Sequence, residues 1–257
     1  MIALFGGTTE GKTVAAFLDR IGRNYIYSTK TAGAPLLMKH GRSRSGALDE
    51  AGMVDFFTRE SVNVVVDAAH PFAIGLHRTI DRVAGVLDLP VIRYERDYRL
   101  AEEQLCGVEY YYVSSLRAAI RKLRELQPTC PLAATGVQTL RSLRPYWSGN
   151  AMKARILLSC RSAMLARQAG FPPGDLIMMD PPVTVEDEIR CLQAYGIDCL
   201  VTKESGSSGF LPEKMTAARR LGIPVIIVRR PVLPASFTVV ESVDELAEVL
   251  ERVKEGE

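Results

Sequence analysis

Apolar and polar residues alternate along this chain in two periods that repeatedly hand over to one another. Short aliphatic runs such as Ile2–Phe5 and Val62–Asp67 read as strands buried on both faces. Longer stretches with apolar residues three and four apart read as helices. The first part of the chain predicts strands at Ile2–Phe5, Tyr25–Thr29, Val62–Asp67 and Pro90–Tyr94, with helices over Thr9–Ile21, Leu48–Glu60 and 72–88. A polar stretch over 97–107 follows, and the alternation restarts. Strands are expected near 109–113, 131–134, 154–158, 175–179, Cys199–Thr202 and Val225–Val228. Helices are expected over 115–126, 137–145, 161–169, 184–195 and 212–221, with a closing amphipathic helix at Val243–Val253. Strands separated by helices imply βαβ units and parallel sheets.

The two parts resemble one another. Ser61-Val-Asn-Val-Val-Val-Asp-Ala-Ala-His70 parallels Tyr195-Gly-Ile-Asp-Cys-Leu-Val-Thr-Lys-Glu204, and Leu87-Asp-Leu-Pro-Val-Ile-Arg-Tyr-Glu-Arg96 parallels Leu221-Gly-Ile-Pro-Val-Ile-Ile-Val-Arg-Arg230. Each part ends with a strand, a polar loop, a helix and a strand closing on arginines. The expected fold is therefore α/β, with two Rossmann-like parallel-sheet lobes at 1–98 and 107–257 and a linker near 99–106. Ligands of open parallel sheets sit beyond the carboxyl ends of the strands. The polar loops fall at those ends, which places the expected site in a cleft between the lobes.

Composition narrows the ligand. At 257 residues, 47% hydrophobic and 24% charged, the chain has the make-up of a soluble globular protein. A net charge of +2 gives no argument for nucleic acid. The cations form local clusters, Arg42/Arg44, Arg93/Arg96/Arg99 and Arg229/Arg230, that suit an anionic small molecule if they line a cleft. Five cysteines without a C-x-x-C are neither a disulfide framework nor a zinc site, and fit a reducing cytoplasm. No signal peptide is evident at the start, and no apolar run approaches the ~18 residues that a membrane span needs.

Gly6, Gly11, Lys12 and Thr13 match the spacing G-x-x-x-x-G-K-[ST] of a triphosphate loop, and Val64–Asp67 could act as a magnesium-holding strand. Against that reading, Glu10 opposes an anion, and Thr8 and Thr9 replace glycines that would free the backbone. The same segment, a strand, the Gly6-Gly7 turn and a helix start, also suits the pyrophosphate of a dinucleotide. A dinucleotide reading needs a discriminator at the end of the second strand. There the chain has Ser28-Thr29-Lys30-Thr31, with one cation and no acid, which suits the 2′-phosphate of NADPH.

The segment Asp67-Ala-Ala-His-Pro-Phe-Ala73 sets a carboxylate, an imidazole and a rigid proline just after a buried strand. His70 is a site candidate for proton movement or anion binding. The alternative is that Asp67 caps the next turn and His70 serves structure. His40 and His77 are expected on the surface or on a helix face. In the second lobe, Thr202-Lys-Glu-Ser-Gly-Ser-Ser-Gly209 offers a lysine, hydroxyls and glycines suited to carboxylates or phosphates, and Thr135-Gly136 sits equivalently.

Together these motifs resemble one family, the precorrin-6A reductases of cobalamin biosynthesis, over nearly the whole chain. The resemblance rests on Gly6–Lys12, Asp67–Ala73, Arg93-Tyr-Glu-Arg96, Ala134-Thr-Gly136, Thr202–Gly206 and Arg229-Arg-Pro231. The chain departs from the family pattern at Ala69, at Val137 and over Asp180–Thr184. The resemblance implies an NADPH- or NADH-dependent reductase of precorrin-6A or its cobalt form, transferring hydride to the macrocycle. Gly6, Gly7, Thr8, Thr9, Glu10, Ser28, Thr29, Lys30, Asp67, Ala68, His70 and Pro71 would bind the cofactor in the first lobe. Arg96, Thr135, Gly136, Lys203, Ser205, Gly206, Arg229 and Arg230 would bind an anionic tetrapyrrole through the second. His70 and Lys203 are the catalytic candidates, with water as another proton source, and no resident metal is implied. Expected surroundings are the cytoplasm, with no nucleic acid or membrane and with contact to neighbouring pathway enzymes. The competing functions are a triphosphatase or kinase using Gly6–Thr13, and a nucleotide-sensing module without turnover.

Overall fold

The computed structural model describes residues 1–31, 36–95, 98, 100–206 and 209–255. Its chain divides into two units, Met1–Asp97 with Pro231–Glu257, and Tyr98–Arg230. The first contains β1 (Ile2–Phe5), α1 (Thr9–Arg20), β2 (Tyr25–Thr29), β3 (Gly41–Ser45), α2 (Glu50–Arg59), β4 (Val64–Asp67), α3 (Ile74–Leu87) and β5 (Val91–Tyr94). The second contains α4 (Glu102–Leu105), β6 (Tyr110–Val113), α5 (Leu116–Leu126), β7 (Pro131–Ala133), α6 (Leu140–Trp147) and β8 (Lys153–Ile156). It continues with α7 (Cys160–Ala169), β9 (Leu176–Met178), α8 (Val185–Ala194), β10 (Cys199–Lys203), α9 (Leu211–Leu221) and β11 (Val225–Val228). The chain then returns to the first unit with β12 (Thr238–Val240) and α10 (Val243–Glu255).

Each unit has one six-stranded sheet, ordered β3-β2-β1-β4-β5-β12 in the first and β9-β8-β7-β10-β11-β6 in the second. Every pairing is parallel. The first order is the doubly wound 3-2-1-4-5-6 pattern, whose ligand crevice opens between the first and fourth strands; the second repeats that arrangement over β7–β11, with its sixth place taken by β6, the strand that comes first in that unit's sequence. In the first sheet that crevice lies at β1 and β4, and in the second at β7 and β10. The internal similarity corresponds to these positions: β10 occupies in the second sheet the place that β4 has in the first, and β11 the place of β5.

The strands are apolar on both faces because both faces are covered. In β1, Ile2 and Leu4 pack with Val14 and Leu18 of α1 and Leu246 and Leu250 of α10. The alternating Ala3 and Phe5 pack with Phe56 and Phe57 of α2 and Ile80 of α3. In the second unit, Leu132, Leu200 and Ile227 pack with Leu192 of α8 and Met215 of α9.

Three expectations are corrected. Residues 231–257 do not belong with the second lobe, because β12 pairs with β5, and α10 covers the first sheet. The stretch near 99–106 is no bare linker: it contains α4, Leu105 packs on the second core, and the Glu103 carbonyl accepts from Arg219. β3 and β12 were not foreseen. β3 reads Gly-Arg-Ser-Arg-Ser and β12 only Thr-Val-Val, and both are edge strands without a run of buried apolar residues.

Leu246→Ala tests the return of the tail. Leu246 is fully buried in the first unit's core, so the substitution should lower unfolding free energy by about 2–4 kcal/mol. Guanidinium titration followed by far-UV circular dichroism measures it, with the lone tryptophan, Trp147 in the second unit, reporting that unit separately; an unshifted far-UV transition would contradict this packing.

Candidate active site

Only Gly6, Gly7 and Thr8 separate β1 from α1, so the turn is tight. A Cβ on Gly6 would lie 2.4 Å from the Tyr27 ring, and one on Gly11 would lie 2.7 Å from the Gly6 Cα. Gly7 has φ of +96°, a region that favours glycine. The Gly7 N–H donates to the Tyr27 hydroxyl at 2.9 Å. Thr8 caps α1, its Oγ1 accepting from the Gly11 N–H at 3.0 Å. The same hydroxyl donates to the Ala68 carbonyl at 2.7 Å, tying the loop after β1 to the loop after β4. A close-packed glycine turn at a capped helix start can approach a phosphate group.

This geometry removes the triphosphate loop. The helix already begins at Thr9, so Gly11, Lys12 and Thr13 are helical. The Lys12 N–H donates to the Thr8 carbonyl and the Thr13 hydroxyl to the Thr9 carbonyl. They do not form an open nest around phosphates. Asp67 is equally unlike a magnesium-holding carboxylate, because its side chain is enclosed by protein partners.

Asp67 ends β4 with no solvent exposure. Its Oδ1 accepts from the Ala69 N–H at 3.0 Å. Its Oδ2 lies 2.7 Å from His77 Nδ1 and 3.1 Å from Arg93 Nη1. Arg93 in turn reaches Glu95 at 3.1 Å. Burial alone would raise the Asp67 carboxyl, but the His77 imidazole, the Arg93 charge and the Ala69 N–H together hold it below its ordinary value. His77 is therefore neither a surface residue nor a bystander: it lies on α3, as a helix-face residue should, but is buried against Asp67.

His70 is exposed at the head of that loop. Its Nδ1 accepts from the Phe72 N–H at 3.1 Å, which leaves Nε2 as the protonated nitrogen of the neutral ring. Of the expected cofactor residues, Gly6, Gly7, Thr8, Thr9, Glu10, Ser28, Thr29, Lys30, Asp67, Ala68, His70 and Pro71 all fall at the carboxyl ends of β1, β2 and β4. Three of them are buried and already have protein partners. Asp67 is enclosed as described. Ala68 is buried and offers its carbonyl to Thr8. Ser28 is buried, its Oγ accepting from Arg44 Nη1 at 3.1 Å.

In the second unit, Lys203 is the last residue of β10, and Thr135, Gly136, Ser205, Gly206, Arg229 and Arg230 follow the carboxyl ends of β7, β10 and β11. Arg96 lies outside the described residues. Thr135 is buried and shares a 2.6 Å hydrogen bond with Thr139. Gly136 has φ of +86° and opens a 3-10 turn, Val137–Thr139, that precedes α6. Burial pushes the Lys203 ammonium down to about 8. The Ser205 hydroxyl donates back to the Lys203 carbonyl, and Gly206 turns the chain with φ of +61°. The Arg230 Nε donates to the Glu204 carbonyl at 2.8 Å.

Several residues at these ends had no distinguishing signal in the sequence. Tyr98 stacks under the Arg230 guanidinium at 3.7 Å and Tyr112 under Arg229 at 5.1 Å. Lys214 is buried on α9, its ammonium donating to the Gly209 and Phe210 carbonyls from beneath the loop. Arg44 reaches Ser28 from the neighbouring strand. Only the Arg42/Arg44 charge pair could have been noticed beforehand; the stacked tyrosines and the buried lysine depend on tertiary packing. Among the described residues, no three His, Cys, Asp or Glu side chains converge as a metal ion would require.

Two doubly wound sheets, one with a glycine turn at its crevice and the other with cationic loops, define a Rossmann-like α/β protein of the ligand-binding class. The chain belongs to the precorrin-6x reductase CbiJ/CobK family, whose profile matches residues 1–254. That family works in cobalamin biosynthesis and comprises oxidoreductases acting on a CH–CH group. A cobalt-precorrin-6A reductase of Priestia megaterium is 29% identical over 237 residues, covering 90% of this chain and 91% of that protein. A precorrin-6A reductase of Rhodobacter capsulatus is 29% identical over 242 residues, covering 91% and 89%. The solved structure of a CobK precorrin-6A reductase superposes with a TM-score of 0.78 at 27% identity, covering 98% of this chain and 96% of that one.

The Asp67 cluster has a pH signature. A carboxyl held low in the fold stabilises it fully above the unfolded value, about 4, and that contribution is lost as pH falls through the lower folded value. Asp67→Asn leaves the buried Arg93 with Glu95 as its carboxylate partner and should cost roughly 3–5 kcal/mol at neutral pH, with a shallower loss of stability in acid. Urea midpoints between pH 3 and 7 would measure both; parallel acid limbs for the two proteins would sink the assignment.

Proposed function

We propose that this chain reduces precorrin-6A or its cobalt form, with NADPH as hydride source, the first unit holding the dinucleotide and the second the macrocycle. The observation that carries the reading is the bridge from Thr8 to Ala68: it sets the glycine turn, the start of α1 and the His70 loop side by side at the carboxyl end of one sheet. NADPH rather than NADH is supported by the end of β2, where Ser28-Thr29-Lys30 has a cation and no acid. The relatives' names carry the macrocycle to this chain, and the chemistry of the second unit agrees. Its loops offer Lys203, Arg229 and Arg230, and a ring with acetate and propionate arms needs cations.

A bound nicotinamide supplies the hydride. Gly6, Gly7, Thr8 and Thr9 fix the pyrophosphate, and Lys30 faces the adenosine end. Glu10 and Pro71 border the turn. Thr135, Gly136, Ser205 and Gly206 shape the macrocycle's seat, and Arg229 and Arg230 hold its carboxylates. The proton that balances the hydride comes from Lys203. Its ammonium is charged at neutral pH and, at about 8, sits near the operating pH of a useful acid. His70 fits that task less well, because its Nδ1 is already engaged by the Phe72 N–H. His70 instead donates to an anionic group of cofactor or substrate.

Fluorescence titration with NADPH tests the binding half. NADPH should bind without magnesium, Thr8→Val should weaken it roughly tenfold through the lost hydroxyl bonds, and Lys12→Ala should change it little. Binding of magnesium-ATP instead would end the proposal.

The chemical half has its own test. With Lys203 as acid, kcat holds below about pH 8 and declines above it. Lys203→Gln should slow turnover by about 100-fold or more and remove that limb, whereas His70→Ala should retain it. An unchanged pH profile in Lys203→Gln would move proton delivery elsewhere.

A further inference from the structure

Three arginines gather beside the first unit's sheet near β3, and their partners differ. Arg42 pairs with Glu60. Arg59 pairs with Asp55 at 2.9 Å and Glu60 at 3.4 Å. Arg44 has no carboxylate partner among the described residues. Its Nη1 donates to two neutral oxygens, Ser28 Oγ at 3.1 Å and the Gly46 carbonyl at 2.9 Å. Its guanidinium also lies over the Phe56 ring at 5.3 Å. The side chain is thus half-buried, fixed on three sides and unneutralised. Burial and the nearby Arg59 charge both depress its basicity, as expected where positive charge is in excess.

Its position gives this excess a meaning. Arg44 stands directly opposite Ser28 in the parallel pairing of β2 and β3, and Ser45 opposite Thr29. Arg44 therefore lies at the carboxyl end of the second strand of a 3-2-1-4-5-6 sheet. With the pyrophosphate at the turn after the first strand, the adenosine ribose falls at that end, and the group found there tells a 2′-hydroxyl from a 2′-phosphate. An acid would hold the hydroxyl, and Ser28-Thr29-Lys30 contains none. A guanidinium with Nη1 anchored still has Nη2 and Nε to offer, and a phosphate matches that fork.

We propose that Arg44 is the specificity residue for the cofactor: it binds the 2′-phosphate, assisted by Lys30, and makes the enzyme select NADPH over NADH. This rests on the reading that the first unit holds a dinucleotide. Ser28 and Phe56 are positioning residues for Arg44, one holding its edge and the other its face.

The test titrates the full-length protein with NADPH and NADH, and displaces NADPH with 2′,5′-ADP, 5′-AMP or inorganic phosphate. NADPH should bind more tightly than NADH, and 2′,5′-ADP should compete at roughly 10- to 100-fold lower concentration than 5′-AMP. Inorganic phosphate alone should compete poorly, since the site reads a phosphate only on a seated ribose. In Arg44→Gln the NADPH-to-NADH affinity ratio should fall by about the same 10- to 100-fold, and Arg44→Lys should recover part of it. An unchanged ratio in Arg44→Gln overturns the proposal while leaving the dinucleotide reading intact. Equal potency of 2′,5′-ADP and 5′-AMP on the unaltered protein overturns it even if the variants do not fold. If neither dinucleotide binds, both the proposal and the reading beneath it fall.

Discussion

A carboxylate without solvent, at the end of a central strand, constrains everything around it. Asp67 cannot remain charged there unless cations and N–H groups close on it. Arg93 arrives from β5 and His77 from α3, so satisfying one side chain fixes a neighbouring strand and a helix. The Ala69 N–H completes the shell and sets the path of the loop beyond β4. Thr8 then bonds to Ala68 on that path and holds the glycine turn to it. The candidate nucleotide loop therefore inherits its position from an ion cluster enclosed within the first unit. The packed aliphatic faces of the sheet stabilise the unit, but they do not place these loops.

The second unit solves the equivalent problem with cations instead. At its crevice a partly desolvated lysine, Lys203, ends β10 where the first unit has an aspartate. Lys214 supports the following loop through backbone carbonyls, and Tyr98 and Tyr112 orient the two arginines after β11. Between β8 and α8, Arg155 and Glu188 form a buried two-point pair at 2.8 and 3.1 Å, so the unit also keeps a matched pair in its core. One architecture thus presents a helix start and an imidazole in one copy, and ammonium and guanidinium groups in the other. That contrast suits a pair of ligands as different as a dinucleotide and a polycarboxylate ring.

Much of this could be read in advance because buried parallel strands are written in unbroken β-branched runs. Val64–Asp67 and Val225–Val228 were legible for that reason, and so was the repeat that joins them. β3 was not, since an exposed edge strand of serines and arginines carries no hydrophobic period. β12 was too short to signal itself, and its assignment to the first sheet depends on a contact across most of the chain. The candidate site divides in the same way. Glycines, His70 and Lys203 stand in recognisable local motifs. His77 does not, because its meaning lies in Asp67, a residue one strand end and one loop away. The match of Gly6–Thr13 to a triphosphate loop shows the limit of spacing alone: the pattern is silent on where the helix begins, and a start at Thr9 changes the use of every amide after it.

The interleaving of the chain has a consequence for its birth. All strands of the second unit are encoded without interruption, so that unit can close as soon as residue 230 has left the ribosome. The first unit begins earlier and finishes later. Until Thr238–Val240 emerges, one side of β5 keeps an open row of backbone donors and acceptors, and the hydrophobic seat of Leu246 and Leu250 stands uncovered. The early-made sheet must wait, unsealed, while its neighbour is synthesised, and the returning segment acts as its latch.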